Sequence, residues 1–249
     1  MPLDVLALAA HPDDVELCAG GTMCLLADQG YATGIVDFTR GELGTRGTPE
    51  GRMEEAAAAA EILGLEAREN LGIPDGDIQN TKENQLKVIR AVRRHRPQIV
   101  LTTAEVVRHP DHGDATRLAV DALFYGGLAK VQTFEDDGTA QEPWRPHHIL
   151  HYFQALDAAD PTFVVDVSSV WERRMEALLA FTSQFYQGGG EGGPETYISN
   201  PRFLAWVEAR ARTYGYRIGA DYGEPFVYRH GPVGVDDLVA VLSRDKPFR

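Results

Sequence analysis

The feature that most constrains this chain is a repeating order of elements over its first hundred or so residues. Leu3 to Ala10 is mostly apolar with weak alternation, as a buried strand is. Val15 to Gln29 has a helical pattern and meets a natural stop at Gly30. Gly34 to Thr39 reads as a second strand and Gly41 to Gly51, rich in Gly, Thr and Pro, as a loop. Arg52 to Leu63 reads as a helix closed by Gly64, Arg68 to Leu71 as a short strand, and Asn84 to Arg96 as a helix halted before Pro97. Ile99 to Thr103 is a further strand. The order β-α-β-α-β-α-β predicts an α/β fold with a Rossmann-like, mostly parallel β-sheet flanked by helices on both faces. Ligands of such sheets bind beyond the C-terminal ends of the strands. The residues after Ala10, Thr39 and Thr103 therefore carry the most functional weight.

The second half is less regular. Ile149 to Phe153 and Phe163 to Val167 read as strands, and Ser168 to Phe185 and Asn200 to Tyr214 as helices. Between those helices, Gly188 to Pro194 reads as a solvated flexible segment, the alternative being a mobile loop near a site. With 249 residues and no internal repeat, a single domain is expected over 1–249. Residues 1–130 would supply the βα units and 131–249 the strands and helices that complete a cleft.

The formal net charge of -13 repels phosphate backbones and anionic lipid, so neither nucleic acid nor a membrane is an expected partner. The N-terminus lacks a basic n-region, its apolar run Val5 to Ala10 is short, and no segment reaches the length of a membrane span, so a cytoplasmic location is expected. Cys18 and Cys24, six positions apart on a predicted helix, point to different faces, which argues against a disulfide.

Two segments that leave the sheet at its C-terminal edge carry the chemistry. After the first strand comes Ala10-His11-Pro12-Asp13-Asp14, and after Ile99 to Thr103 comes Arg108-His109-Pro110-Asp111-His112. About a hundred residues separate them, yet both turns open on the same edge. Two imidazoles and a carboxylate suit a divalent cation with one position left for water. Such a cation lowers the pKa of bound water towards neutrality. Of the adjacent Asp13 and Asp14, one can bind the cation while the other takes the proton of the attacking water. Each motif alone has a bland reading: His-Pro and Asp-Asp are turn material, and Asp13 or Asp14 can simply cap the following helix. Their joint occurrence after two parallel strands favours the metal site. No G-x-G-x-x-G follows the first strand, no G-x-S-x-G occurs, and no Cys-x-x-Cys is present, which argues against dinucleotide binding and a serine nucleophile.

At these residues the chain resembles the LmbE/PIG-L family of zinc-dependent N-acetylglucosaminyl deacetylases. The family's marks are the first motif followed by Gly20-Gly21-Thr22, and the later His109-Pro110-Asp111-His112. Thr39 to Thr48, Pro74-Asp75-Gly76, Gln184-Phe185-Tyr186, Glu195 to Ser199 and Pro232 to Leu238 resemble the branch that deacetylates N-acetylglucosaminyl-malate in bacillithiol biosynthesis. The resemblance implies an LmbE-like deacetylase fold and a zinc cofactor, although ferrous iron accepts the same ligands. By the resemblance, His11, Asp14 and His112 are the metal ligands and Asp13 is the general base. His109, when protonated, supports the oxyanion and later protonates the amine. Arg52 and Arg108 face the sugar or an anionic aglycone such as malate, although Arg52 also reads as a surface residue of its helix. Tyr197 is either a hydroxyl donor in the site or a packing residue. Asp111 either orients a neighbouring histidine from behind or caps a helix. His95, His147, His148, His151 and His230 carry no role. The implied partners are a small amino-sugar substrate and other copies of the chain, as a homo-oligomer that relatives build as a hexamer.

The expected function is hydrolysis of an acetamide, releasing acetate and a free amine. Other N-acetyl amino sugars, a chitooligosaccharide or a thiol conjugate are alternative substrates. A non-haem iron oxygenase shares the two-His, one-carboxylate set, but the β/α alternation argues against it. A non-catalytic metal or sugar binder has no use for the second carboxylate at Asp13.

Overall fold

In the computed structural model, residues 2–104, 108–153, 160–187, 193–237 and 239 are described. The first four strands are β1 (Val5–Ala9), β2 (Thr33–Asp37), β3 (Ala67–Asn70) and β4 (Ile99–Thr103), alternating with α1 (Asp14–Asp28), α2 (Pro49–Leu63) and α3 (Lys82–His95). Then come α4 (Pro110–Gly126), β5 (His148–Tyr152), β6 (Phe163–Asp166), α5 (Trp171–Leu179), α6 (Pro201–Ile218) and β7 (Gly223–Tyr228), with a short 3₁₀ turn at Ser168–Val170. The strands form one seven-stranded sheet in the order β3-β2-β1-β4-β5-β7-β6. The pairings from β3 to β5 are parallel, and β7 runs antiparallel to both β5 and β6.

Alternation sorts the core into two layers. Val5, Ala7 and Ala9 of β1 pack with α1, α2, α5 and α6, while Leu6 and Leu8 pack with α3 and α4 on the other face. With both faces covered, β1 is buried throughout, as its apolar run requires. The chain moves from β1 outward to β2 on one side, and from β4 outward to β5 on the other, while β1 and β4 pair directly with Leu8 opposite Thr102. This is the topological switch point, where the two strand-to-helix turns part and leave a crevice.

Four features depart from the sequence expectation. α2 starts at Pro49 rather than Arg52, because the Thr48 hydroxyl accepts the Gly51 N–H at 3.1 Å and Pro49 fills the first turn. α5 stops at Leu179 rather than continuing to Phe185, because Glu55 of α2 takes the Ser183 N–H at 2.6 Å and the Thr182 hydroxyl at 2.9 Å. α4 was not among the expected helices, although its apolar residues Ala115, Leu118, Ala119, Ala122 and Leu123 are all buried at helical spacing. β7 went unread because it contains Pro225, a residue that argues against an interior strand. Residues 188–192 of the glycine-rich segment and Leu238 lie outside the described residues. Cys18 and Cys24 are buried free thiols, and no described helix is long and apolar enough to cross a membrane.

The glycine pair inside α1 has a packing cause. A Cβ on Gly21 would meet the Val167 side chain at 2.8 Å and Glu224 Oε1 at 3.0 Å. The buried Glu224 carboxylate of β7 accepts the N–H groups of Gly21 and Thr22 and the Thr22 hydroxyl at 2.7–2.8 Å, with the buried Arg174 Nε at 3.8 Å. This bond set locks α1, which opens with the acidic pair, to the C-terminal part of the sheet. Removing one partner of a buried charged pair typically costs about 3–5 kcal/mol. Glu224→Ala is therefore expected to lower unfolding free energy by about 3 kcal/mol in urea denaturation. A loss below about 1 kcal/mol, the size of an ordinary neutral hydrogen bond, would contradict this role.

Candidate active site

The crevice at the switch point is a cavity of about 630 Å³, and all nine residues singled out from the sequence line it. His11, Pro12 and Asp13 make the turn between β1 and α1. The Asp14 carboxylate folds back to accept the His11 N–H at 2.9 Å, and the Leu17 N–H reaches the Asp13 carbonyl at 2.9 Å. Asp13 itself adopts φ 112°, a left-handed conformation rare for a residue with a Cβ. It makes no side-chain cap to α1, so the capping alternative fails. On the other side of the crevice, His109 is the N-cap of α4 and its Nδ1 accepts the Asp111 N–H at 3.3 Å. Pro110 opens the helix, and His112 follows one turn into it.

The side chains then converge. The Asp14 carboxylate lies between two imidazoles, with Oδ2 at 3.5 Å from His11 Nδ1 and Oδ1 at 3.1 Å from His112 Nε2. The centroids of the His11, His109 and His112 rings are 5.1–5.4 Å apart. Ligand atoms of His11, Asp14 and His112 all lie within 4.8 Å of one another, as do those of His11, His109 and Asp111. The donor set fits a divalent cation on two counts. Asp14, Asp75 and Asp111 lie against the imidazoles, and the neighbouring Asp13 is paired with Arg52. In addition, Asp14 presents Oδ2 to His11 Nδ1 and Oδ1 to His112 Nε2, so both rings aim a nitrogen at one carboxylate.

Burial pushes the Asp13 carboxyl up to about 7, against the pull of Arg52. Burial also opposes ionisation of Asp14, but His112 and His11 outweigh it and hold that carboxyl well below its ordinary range. The adjacent acids are thus driven apart. For His11, burial disfavours the imidazolium, yet hydrogen bonds to the carboxylates of Asp111, Asp14 and Asp75 hold its pKa well above the ordinary value. Burial and the neighbouring imidazoles lower His109. The resemblance implies a His109 that acts when protonated; the lowering favours the neutral ring in the resting site. A neutral ring still serves, because Nδ1 accepts the Asp111 N–H and the ring hydrogen therefore sits on Nε2 as a donor.

Arg52 is not a surface residue: it is buried, with Nη2 bonded to the Pro12 carbonyl and at 3.0 Å from Asp13 Oδ2. That pair sets it beside the general-base candidate, and it also lines the cavity. Asp111 lies 3.2 Å from His11 Nε2, so it backs a histidine, and the cap position belongs to His109. Arg108 is exposed at the rim with its guanidinium 4.9 Å over the Tyr197 ring. Tyr197 is 56% exposed and lines the cavity mouth. Asp75 was missed as a site residue: its Oδ1 is 3.0 Å from His11 Nε2. The only signal for it was the Pro74-Asp75-Gly76 turn, which carried a likeness but no role.

Residues 6–123 match the family described as PIG-L: GlcNAc-PI de-N-acetylase. The diacetylchitobiose deacetylase of Thermococcus kodakarensis is 30% identical over 191 residues, covering 73% of this chain and 70% of that one. The chain belongs to the PIG-L family. Another relative, the 4-oxalmesaconate hydratase of Pseudomonas putida, is 29% identical over 206 residues, covering 72% of this chain and 73% of its own length. Among solved structures, a conserved protein from Thermus thermophilus superposes with a TM-score of 0.82 at 39% identity, over 94% of this chain and 98% of that one. This PIG-L family member therefore shares its mixed seven-stranded sheet with its structural neighbours.

The buried Arg52–Asp13 pair can be tested apart from any activity. Arg52→Leu strands the Asp13 carboxylate and is expected to cost about 3 kcal/mol of stability. A surface arginine would change it by no more than about 0.5 kcal/mol, and chemical denaturation separates the two.

Proposed function

We propose that the protein is a zinc-dependent deacetylase of an N-acetylglucosamine-type substrate. The observation that carries this is the split between adjacent acids, one held between two imidazoles and the other held apart by a guanidinium. His11, Asp14 and His112 would hold the cation. His11, His109 and Asp111 form the competing triad, with ligand atoms equally close together. A divalent cation bound there supplies Lewis acidity to an amide carbonyl and to water.

The chain's own residues supply the rest. Asp13, with its carboxyl near 7, is poised to take a proton from water at neutral pH. Arg52 keeps that carboxylate in place. His109 Nε2–H offers a donor to the oxyanion of the tetrahedral intermediate. Water adds its oxygen to the acetyl carbon, the C–N bond breaks, and the proton held by Asp13 passes to the departing amine. Acetate and a free amino sugar result.

For the rest of the substrate, the leading reading is glucosaminyl-malate, with Arg108 at the rim as the partner for the malate carboxylates. The Thermococcus relative favours a second reading, a chitooligosaccharide, and the Pseudomonas relative a third, hydration of an unsaturated acid. Acetate release from N-acetylglucosaminyl-malate and from diacetylchitobiose, with and without chelator, distinguishes them. Chelator-sensitive release is expected. Asp13→Asn is expected to lower kcat by about 10²–10⁴-fold while zinc content stays stoichiometric, whereas His112→Ala loses the zinc. Arg108→Ala should raise KM for the malate glycoside and leave that for chitobiose unchanged. No acetate from any N-acetylated sugar would overturn the deacetylase reading in favour of the hydratase.

A further inference from the structure

The carboxylate missed in the sequence, Asp75, is bonded on three sides. Its Oδ1 lies 3.0 Å from His11 Nε2, and its Oδ2 accepts the Leu43 N–H at 2.9 Å. Its own N–H donates to Glu42 Oε1 at 2.9 Å. The next residue, Gly76, donates its N–H to Asp111 Oδ2 at 2.9 Å, and that same oxygen is 3.2 Å from His11 Nε2. Two carboxylates from separate turns therefore share one edge of the His11 ring. The opposite nitrogen, Nδ1, faces Asp14.

The turn holding Asp75 is also packed against the cavity mouth. Gly76 has φ 72°, and a Cβ there would meet Leu43 Cδ1 at 2.7 Å. Leu43, 71% exposed, lines the cavity together with Gly41, Gly44 and Thr45. The loop that borders the substrate space thus hangs on the carboxylate that touches the candidate ligand His11.

We propose that Asp75 is a positioning residue, which keeps the His11 ring hydrogen on Nε2, leaves the Nδ1 lone pair for the cation, and ties that ring to the Glu42–Leu43 loop. The proposal rests on the reading of His11 as a metal ligand. A histidine that binds a metal through one nitrogen is oriented by the hydrogen bond its other nitrogen donates, and loss of that partner typically weakens metal binding by about 10–100-fold. Aspartate suits the post because it offers two acceptor oxygens, one to the ring and one to the loop. Asparagine has a single acceptor. If that oxygen serves Leu43, the amide NH₂ faces Nε2 and favours the opposite tautomer.

The test uses the full chain and zinc alone. Zinc affinity is measured by competition with a chromophoric chelator, and the His11 ring nitrogens of the zinc-loaded wild type are read by ¹⁵N NMR. Asp75→Asn is expected to bind zinc about 10–100-fold more weakly than wild type, and the wild-type His11 to carry its hydrogen on Nε2. Unchanged affinity in Asp75→Asn, or a wild-type hydrogen on Nδ1, overturns the proposal; the NMR result stands even if the variant fails to fold. Wild-type protein that binds no zinc would instead sink the underlying metal reading. Because neither readout involves turnover, inactivity towards acetamido sugars leaves the result intact.

Discussion

The left-handed backbone at Asp13 is the constraint on which the site depends. Two acidic residues adjacent in sequence and both buried repel one another and compete for the same space. The φ of 112° at Asp13 turns the chain sharply as it enters α1. Asp14 is thereby delivered to the two imidazoles, while Asp13 is left beside Arg52 and the Pro12 carbonyl. An ordinary helical entry would leave Asp13 capping α1 through its side chain, a bond it does not make. Strain of this kind costs on the order of 1–3 kcal/mol and persists where surrounding structure over-determines it. Here the buried Arg52 and the Glu224 clasp on α1 are the surrounding structure.

That separation creates two carboxyl groups of opposite temperament within one turn. Asp14 is ionised by its imidazole neighbours, and Asp13 is kept near neutrality by burial. The pattern suits a metal hydrolase, in which one acid binds and the other moves protons. The switch point between β1 and β4 makes it possible, since parallel neighbours whose connections diverge leave their following turns side by side. A deacetylase and a hydratase are both found among the relatives, each near 30% identity. On the proposed reading, the shared core supplies the metal-and-acid chemistry and the residues at the rim select what it acts on.

Most of the central architecture was legible in the sequence because buried parallel strands announce themselves as short apolar runs with helices between them. β1, β2 and β4 matched their predicted places to within a residue or two. The two His-Pro motifs were legible for a related reason: each follows a strand whose end is easy to find. What escaped had tertiary causes. The last turns predicted for α5 are unwound by Glu55 from another helix, and β7 carries a proline yet pairs on both sides. The surface alternative for Arg52 arose because its helix was started three positions late; with Pro49 at the first turn, the residue is buried. Asp75 sits in an irregular turn remote in sequence from both motifs, and no period or spacing links it to His11.

On the proposed reading, one divalent cation sits between His11, Asp14 and His112 with Asp13 outside its coordination shell. A crystal of the zinc-loaded protein, with anomalous data collected at the zinc edge, tests it directly. A single peak within about 2.0–2.2 Å of a nitrogen on each of the two histidines and of Asp14 oxygen is expected, with Asp13 still on Arg52. A peak bound by His109 and Asp111, or by Asp13 itself, would contradict the account.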